Sequence, residues 1–276
     1  MPSNLIHFDL DGVLWDPHEF LKYTLPNCVN RGIEKGLKGE PRDILKELYE
    51  VRKEFGSNYN GHFDILVQRI NGEHNPDIVD AMQSQYHACK ADYMKPFPYV
   101  ENVLKFCRNA GYILTVASNG NDEKQEDKLY DLSLMPYFEF ATSDNASKKL
   151  FAIGEGDTAK PAPYTWTVLR NEVSEYFGNA DVEVHVGDKL NADVLGANSL
   201  GIVSVYARLG PHGQETIDSV VEKDGRDKKA LRELLEPDYA IDDMGQFPVT
   251  VNRIMQDYAN LKAKKSYQME IAAELN

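Results

Sequence analysis

Six short apolar runs, spaced far apart along the chain, constrain its fold more than any other feature. They are 5–8, 112–117, 138–142, 182–186, 202–206 and the weaker 239–241. Runs of this length without polar alternation read as strands buried on both faces. Amphipathic patterns lie between most of them. Val100, Val103, Leu104 and Cys107 follow helical spacing, as do Trp166, Leu169, Val173 and Tyr176. After residue 186 a short helix is expected, with Asn191 as its N-cap and Gly201 as its stop. Strand–helix alternation predicts an α/β fold: a doubly wound parallel sheet with helices on both faces.

Residues 17–95 break this rhythm. They hold no strand pattern but three helical ones: Ile44, Leu48, Val51, Phe55; Phe63, Leu66, Val67, Ile70; and Ile78, Met82, Tyr86, Cys89. Asn75-Pro76 reads as an N-cap followed by Pro at the first helical position. The expected organisation is therefore a core from 1–16 and 96–262, an inserted all-helical module at 17–95, and a terminal tail at 263–276.

The 276 residues carry a net charge of −14, which argues against a general binder of nucleic acid or anionic membranes. An anionic substrate would need local positive charge. Three cysteines without a CxxC pair suggest reduced thiols and a cytoplasmic setting. No apolar run is long enough to span a bilayer, and no secretory signal pattern precedes the first strand. The histidines show no zinc-ligand spacing.

In an open parallel sheet, chemistry collects beyond the carboxyl ends of the strands. Asp9 and Asp11 follow the first run, and like charges so close are costly unless a cation or shared proton offsets them. Ser118 and Asn119 follow the second run. Gly187 and Asp188 follow the fourth, with Asp193 one helical turn on. Lys160-Pro161 stands just before the Trp166 helix. Each feature alone has a bland explanation: a solvated turn, a helix cap, a surface lysine, a first-turn acid. His185, inside a strand pattern, reads as a satisfied core residue, and Gly154-Glu155-Gly156 as a loop without a preceding strand.

Taken in order, Asp9-Leu10-Asp11-Gly12-Val13, Ser118-Asn119, Lys160-Pro161 and Gly187-Asp188 with Asp193 resemble the four motifs of the haloacid dehalogenase superfamily. The helical insertion resembles that family's C1-type cap. The segment GSNYNGHFDILVQRI within it is similar to an archaeal branch that includes enzymes acting on glyceraldehyde 3-phosphate. The stretch 143–158 before the lysine is longer than the family's usual one and contains two further lysines, Lys148 and Lys149.

The resemblance implies a Mg²⁺-dependent phosphomonoesterase acting on a small phosphorylated metabolite, with a cap that closes over the substrate. It implies that Asp9 is the nucleophile and Asp11 the proton carrier. Asp9, Asp188 and the Asp11 carbonyl would hold the metal. Ser118, Asn119 and Lys160 would bind phosphate, and Asp193 would orient Lys160 or a metal-bound water. Tyr59, His62 and Arg69 are candidate substrate contacts in the cap. Dehalogenases and phosphonate-cleaving relatives lack an acid at the Asp11 position. A phosphomutase would keep it and stays open as an alternative, as does a catalytically silent phospho-ligand or partner-binding protein.

Overall fold

The computed structural model describes residues 3–141, 146–210, 215–224 and 226–275. The chain divides into two compact units, one of residues 1–16 and 96–276 and one of Pro17–Lys95.

The first unit is built on a six-stranded, wholly parallel sheet. Its strands are β1 (Ser3–Phe8), β2 (Ile113–Asn119), β5 (Phe151–Gly154), β6 (Ala180–Gly187), β7 (Val203–Ala207) and β8 (Tyr239–Ile241). They lie in the order β5-β2-β1-β6-β7-β8, and β3 (Glu139–Ala141) and β4 (Ser147–Lys149) form a separate pair. β1 is central and buried from Leu5 onward, with Leu5, Ile6, His7 and Phe8 at 0–1% exposure. Phe8 is in register with Val116 on one side and Val186 on the other. The strand order reverses about β1, so the chain leaving β1 emerges between the ends of β2 and β6. This is the switch point at which doubly wound sheets bind ligands.

The second unit is all helical: α1 (Pro17–Glu34), α2 (Pro41–Phe55), α3 (His62–Asn71) and α4 (Pro76–Tyr93). Its core is set by the spacing read from the sequence, with Ile44, Leu48, Leu66, Ile78 and Met82 fully or almost fully buried. Asn75 caps α4 by accepting from the Ile78 N–H at 3.3 Å, and Pro76 occupies the first turn. Phe55 departs from its helical pattern and lies exposed.

The remaining helices belong to the first unit: α5 (Val100–Asn109), α6 (Asp122–Asp131), α7 (Tyr164–Phe177), α8 (Leu195–Ser199), α9 (Ile217–Val221), α10 (Lys228–Leu235) and α11 (Phe247–Leu275).

Three expectations need correction. The run 138–142 is not a strand of the main sheet. Phe138 is buried, but Glu139–Ala141 pairs antiparallel with Ser147–Lys149, while Thr142 lies outside the described residues. The sheet edge is taken instead by Phe151–Gly154, in register from Val116↔Phe151 to Asn119↔Gly154. Gly154 therefore ends a strand, and the longer stretch before Lys160 houses a hairpin arm and that edge strand, with 143–145 outside the described residues. Asn191 is not an N-cap: it lies inside a π-helical turn, Leu190–Val194, that runs directly into α8. Gly201 does stop that helix, at φ +71°.

Residues 263–276, expected as a terminal helix or frayed tail, continue α11 as far as Leu275. Gln268, Ile271 and Ala272 are buried there. Lys265, also buried, donates to Asn198 Oδ1 at 2.6 Å and pairs with Asp238, which Lys264 holds at 2.7 Å as well. Asn198 in turn donates to the Leu234 and Glu236 carbonyls. Deleting 263–276 strips the fully buried Asp238 carboxylate of both cations. It is expected to lower stability to denaturant by about 3 kcal/mol or more; an unchanged unfolding midpoint would contradict this packing.

Candidate active site

Because β1, β2 and β6 are parallel neighbours, the residues that follow them converge. Asp9 leaves β1 with its N–H donating to the Val186 carbonyl at 2.9 Å. Its Oδ1 accepts from the Leu10 N–H at 2.8 Å and faces Lys160 Nζ at 3.1 Å. Lys160 is buried and donates also to the Ala117 carbonyl at 2.8 Å and to Asp193 Oδ1 at 2.5 Å. Burial works against its charge, but Asp193 and Asp9 outweigh it and hold the ammonium above its ordinary pKa. The Lys160 backbone is fixed by a reciprocal pair with the Asn119 side chain: Lys160 N–H to Oδ1 at 2.7 Å, Nδ2 to Lys160 O at 3.2 Å. Lys160, not Lys148 or Lys149, is thus the lysine at the strand ends. The other two pair with Glu172 and Glu126.

Asp193 has both oxygens engaged. Oδ1 receives Lys160 and His185, and Oδ2 receives the Lys189 N–H at 3.0 Å. Burial disfavours the Asp193 charge, but Lys160 and His185 overcome this and hold the carboxyl well below the usual range. Burial likewise pulls His185 down, against the pull of Asp193. The Trp166 indole can only donate, and it meets Nδ1 at 3.2 Å. His185 Nε2 therefore carries the proton and gives it to Asp193 at 3.0 Å. His185 is a buried, satisfied residue, but its partner belongs to the site. Gly187 permits this approach, since a Cβ there would lie 2.1 Å from Asp193 Cβ.

Asp188 contrasts with Asp193. It is fully buried, and among the described residues neither of its oxygens has a hydrogen-bond partner. Burial, with the charges of Asp9 and Asp193, pushes its carboxyl up to about 8. It packs against Gly12, at φ +87°, where a Cβ would sit 2.1 Å from Asp188 Oδ2. Carboxylate oxygens of Asp9, Asp188 and Asp193 lie within 4.8 Å of one another. Asp193 is fully committed to donors, so Asp9 and Asp188 are the side chains left to meet a cation. All-oxygen donors of this hardness, one of them buried without a partner, suit a small divalent ion.

Asp11 lies across a small cavity lined also by Asp9, Ser118, Asn119, Lys160 and Lys189. Its Oδ1 accepts from Trp15 Nε1 at 2.7 Å and from Lys128 Nζ at 2.8 Å. Oδ2 accepts from Lys128 at 2.6 Å and from Gln125 Nε2 at 3.4 Å. The buried Gln125 also reaches the Asn119 carbonyl at 2.6 Å and Ser118 Oγ at 3.5 Å. Both come from α6, whose N-cap, Asn121, accepts from the Lys124 N–H at 3.2 Å. Sequence reasoning missed Lys128, Gln125 and Lys189. In a helix as polar as DEKQEDKLYD, nothing in the local pattern marks Gln125 or Lys128.

The three candidate cap contacts lie in the helical unit, and each is engaged there. Arg69 pairs with Glu47 at 3.0 Å and Glu54 at 2.6 Å. His62 meets the Gly56 carbonyl at 2.9 Å, and Tyr59 stacks on Phe55.

Fold and site together define a doubly wound α/β protein with acids and one buried lysine gathered at the strand ends. A profile of the haloacid dehalogenase-like hydrolases matches residues 4–201, and the chain belongs to that family. It is 33% identical over 209 residues to the glyceraldehyde 3-phosphate phosphatase of Methanopyrus kandleri, covering 74% of this chain and 84% of the relative. The enzyme of the same name from Pyrococcus abyssi is 31% identical, covering 75% and 82%. A phosphoglycolate phosphatase of Caulobacter vibrioides is 27% identical, covering 78% and 83%. Among solved structures, the HAD phosphatase of Thermococcus onnurineus superposes with a TM-score of 0.55 at 19% identity, covering 91% of this chain and 98% of that one. The 2-haloacid dehalogenase of Pseudomonas syringae also gives 0.55, at 20% identity, covering 91% and 99%.

A carboxyl held above its unfolded pKa of 3.8 keeps, in the folded chain, a proton that the unfolded chain releases. Its contribution to stability is present below 3.8 and is lost as pH rises toward about 8. Asp188→Asn removes that loss. In chelator, D188N should melt above wild type at pH 8 to 9, with the gap closing as the pH falls to about 4. A gap independent of pH would contradict the assignment.

Proposed function

We propose that this chain is a Mg²⁺-dependent phosphomonoesterase of the cytoplasm that works through an aspartyl-phosphate on Asp9. The observation that carries the reading is the juxtaposition of a lysine-bound Asp9 with a buried Asp188 whose oxygens have no protein donor. Asp9, Asp188 and the backbone carbonyl of Asp11 would hold the ion. When bound, Mg²⁺ would neutralise phosphoryl charge and lower the repulsion between the anionic ester and the acids.

The chain's own residues do the rest. Asp9 forms an O–P bond as the ester O–P bond breaks. Asp11 gives a proton to the leaving oxygen, then takes one from the water that cleaves the acyl phosphate. Lys160 and Ser118 hold the transferring oxygens, with Asn119 fixing Lys160 in place. The Asp193–His185–Trp166 chain keeps Lys160 aimed at Asp9.

The substrate is a small phosphorylated metabolite. Relatives named for glyceraldehyde 3-phosphate, at up to 33% identity, favour an ester of triose size. Three free, buried cysteines agree with a reducing compartment. Among the described residues no helix is long and apolar enough to cross a membrane.

An aryl phosphate should be hydrolysed with Mg²⁺ and not in chelator. Asp9→Asn should abolish turnover with the fold intact, and Asp11→Asn should slow release of the phosphoenzyme. Wild-type turnover in D9N would refute the nucleophile. In a panel of phosphate esters ranked by kcat/KM, triose phosphates should lead; a flat ranking would remove the substrate assignment.

A further inference from the structure

We infer that Lys128 is a positioning residue for the proton carrier: its ammonium fixes the carboxylate of Asp11 in one orientation, with Trp15 and Gln125 completing the grip. This rests on the phosphatase reading above.

Asp11 stands in a loop, and its side chain keeps 28% of its surface exposed. The backbone alone leaves its rotamer free, and a rotating carboxylate is a poor acid or base because proton transfer requires alignment. Lys128 spans both oxygens of the ionised carboxylate at 2.8 and 2.6 Å, which sets its plane rather than only its position, and when Oδ2 carries the proton Lys128 and Trp15 still hold Oδ1. The lysine is itself restrained. Its ammonium lies 5.5 Å from the centre of the Trp15 ring, and Trp15 donates to the same carboxylate at 2.7 Å. Trp15 is tied back by its carbonyl, which accepts the Gly12 N–H at 2.9 Å. One turn before Lys128, Gln125 is anchored on the Asn119 carbonyl and touches Asp11 Oδ2. Helix α6 thus carries two side chains that grip the carrier, and one of them, Gln125, also ties it to the strand that bears Ser118.

The consequence is selective. In the first step the Asp9 O–P bond forms, the ester O–P bond breaks, and the Asp11 proton goes to the leaving oxygen. In the second step water forms a bond to phosphorus, the Asp9 O–P bond breaks, and a water proton returns to Asp11. An alkoxide leaving group needs the first proton; a nitrophenolate does not. Losing the orientation of Asp11 therefore penalises alkyl esters more than 4-nitrophenyl phosphate.

The test compares wild type, K128M, K128R and D11N with Mg²⁺ on glyceraldehyde 3-phosphate and on 4-nitrophenyl phosphate, with folding checked by circular dichroism. In K128M, kcat/KM for the alkyl ester should fall about 10- to 100-fold and that for the nitrophenyl ester about 3-fold or less. K128R should recover most of the loss. K128Q carries the same comparison should K128M not fold. Equal losses on both esters, or wild-type values on both, overturn the role of Lys128 while leaving the phosphatase reading intact. A wild type inert on both esters, or D11N unchanged on the alkyl ester, overturns that reading and this inference with it.

Discussion

Three carboxylates share a space in which the one buried lysine, Lys160, contacts only two of them. At separations within 4.8 Å, each ionised pair among Asp9, Asp188 and Asp193 costs about 3.5 kcal/mol or more at the effective dielectric of a protein site. Lys160 touches Asp9 and Asp193 and offsets much of their share. Asp188 is left without a donor, and its carboxyl keeps its proton until about 8. A divalent ion in contact with Asp188, which Lys160 and Lys189 leave without a donor, would relieve the imbalance and bring a carboxylate within reach of an anionic ester.

The sheet supplies the geometry. Placing β1 between β2 and β6, in register at Phe8, brings Asp9, Ser118 and Asp188 to one rim from segments more than sixty residues apart in sequence. Two glycines make close approach possible, Gly12 against Asp188 and Gly187 against Asp193. A buried hydrogen-bonded chain from Trp166 through His185 and Asp193 then fixes the lysine. Every donor in it has an acceptor, which is how a charged group is kept in a core at tolerable cost.

Much of this was legible in the residues because strand ends are legible. Asp9, Asp11, Ser118, Asn119, Asp188 and Asp193 sit just beyond apolar runs, and a parallel sheet brings such ends together. Lys160 was marked by its place before a helix. The edge strand at 151–154 was not legible, because its apolar run adjoins a hairpin arm that competes for the same pattern. Asn191 looked like a cap because local chemistry favours it there, but the turn to Asp193 opens one residue wider than an α-helix. Lys128 and Gln125 were invisible for another reason. They lie more than a hundred residues from Asp11, and nothing local separates a lysine that grips a carboxylate from one in water. Arg69, marked as a candidate substrate contact, pairs with two glutamates of the helical unit.

The most direct test is calorimetric titration of Mg²⁺ into the chain at pH 7, in buffers of different ionisation enthalpy. Binding at one site should release about one proton, because Asp188 is still protonated there and must give it up to meet the ion. Binding without proton release, or the same release from D188N, would contradict the account.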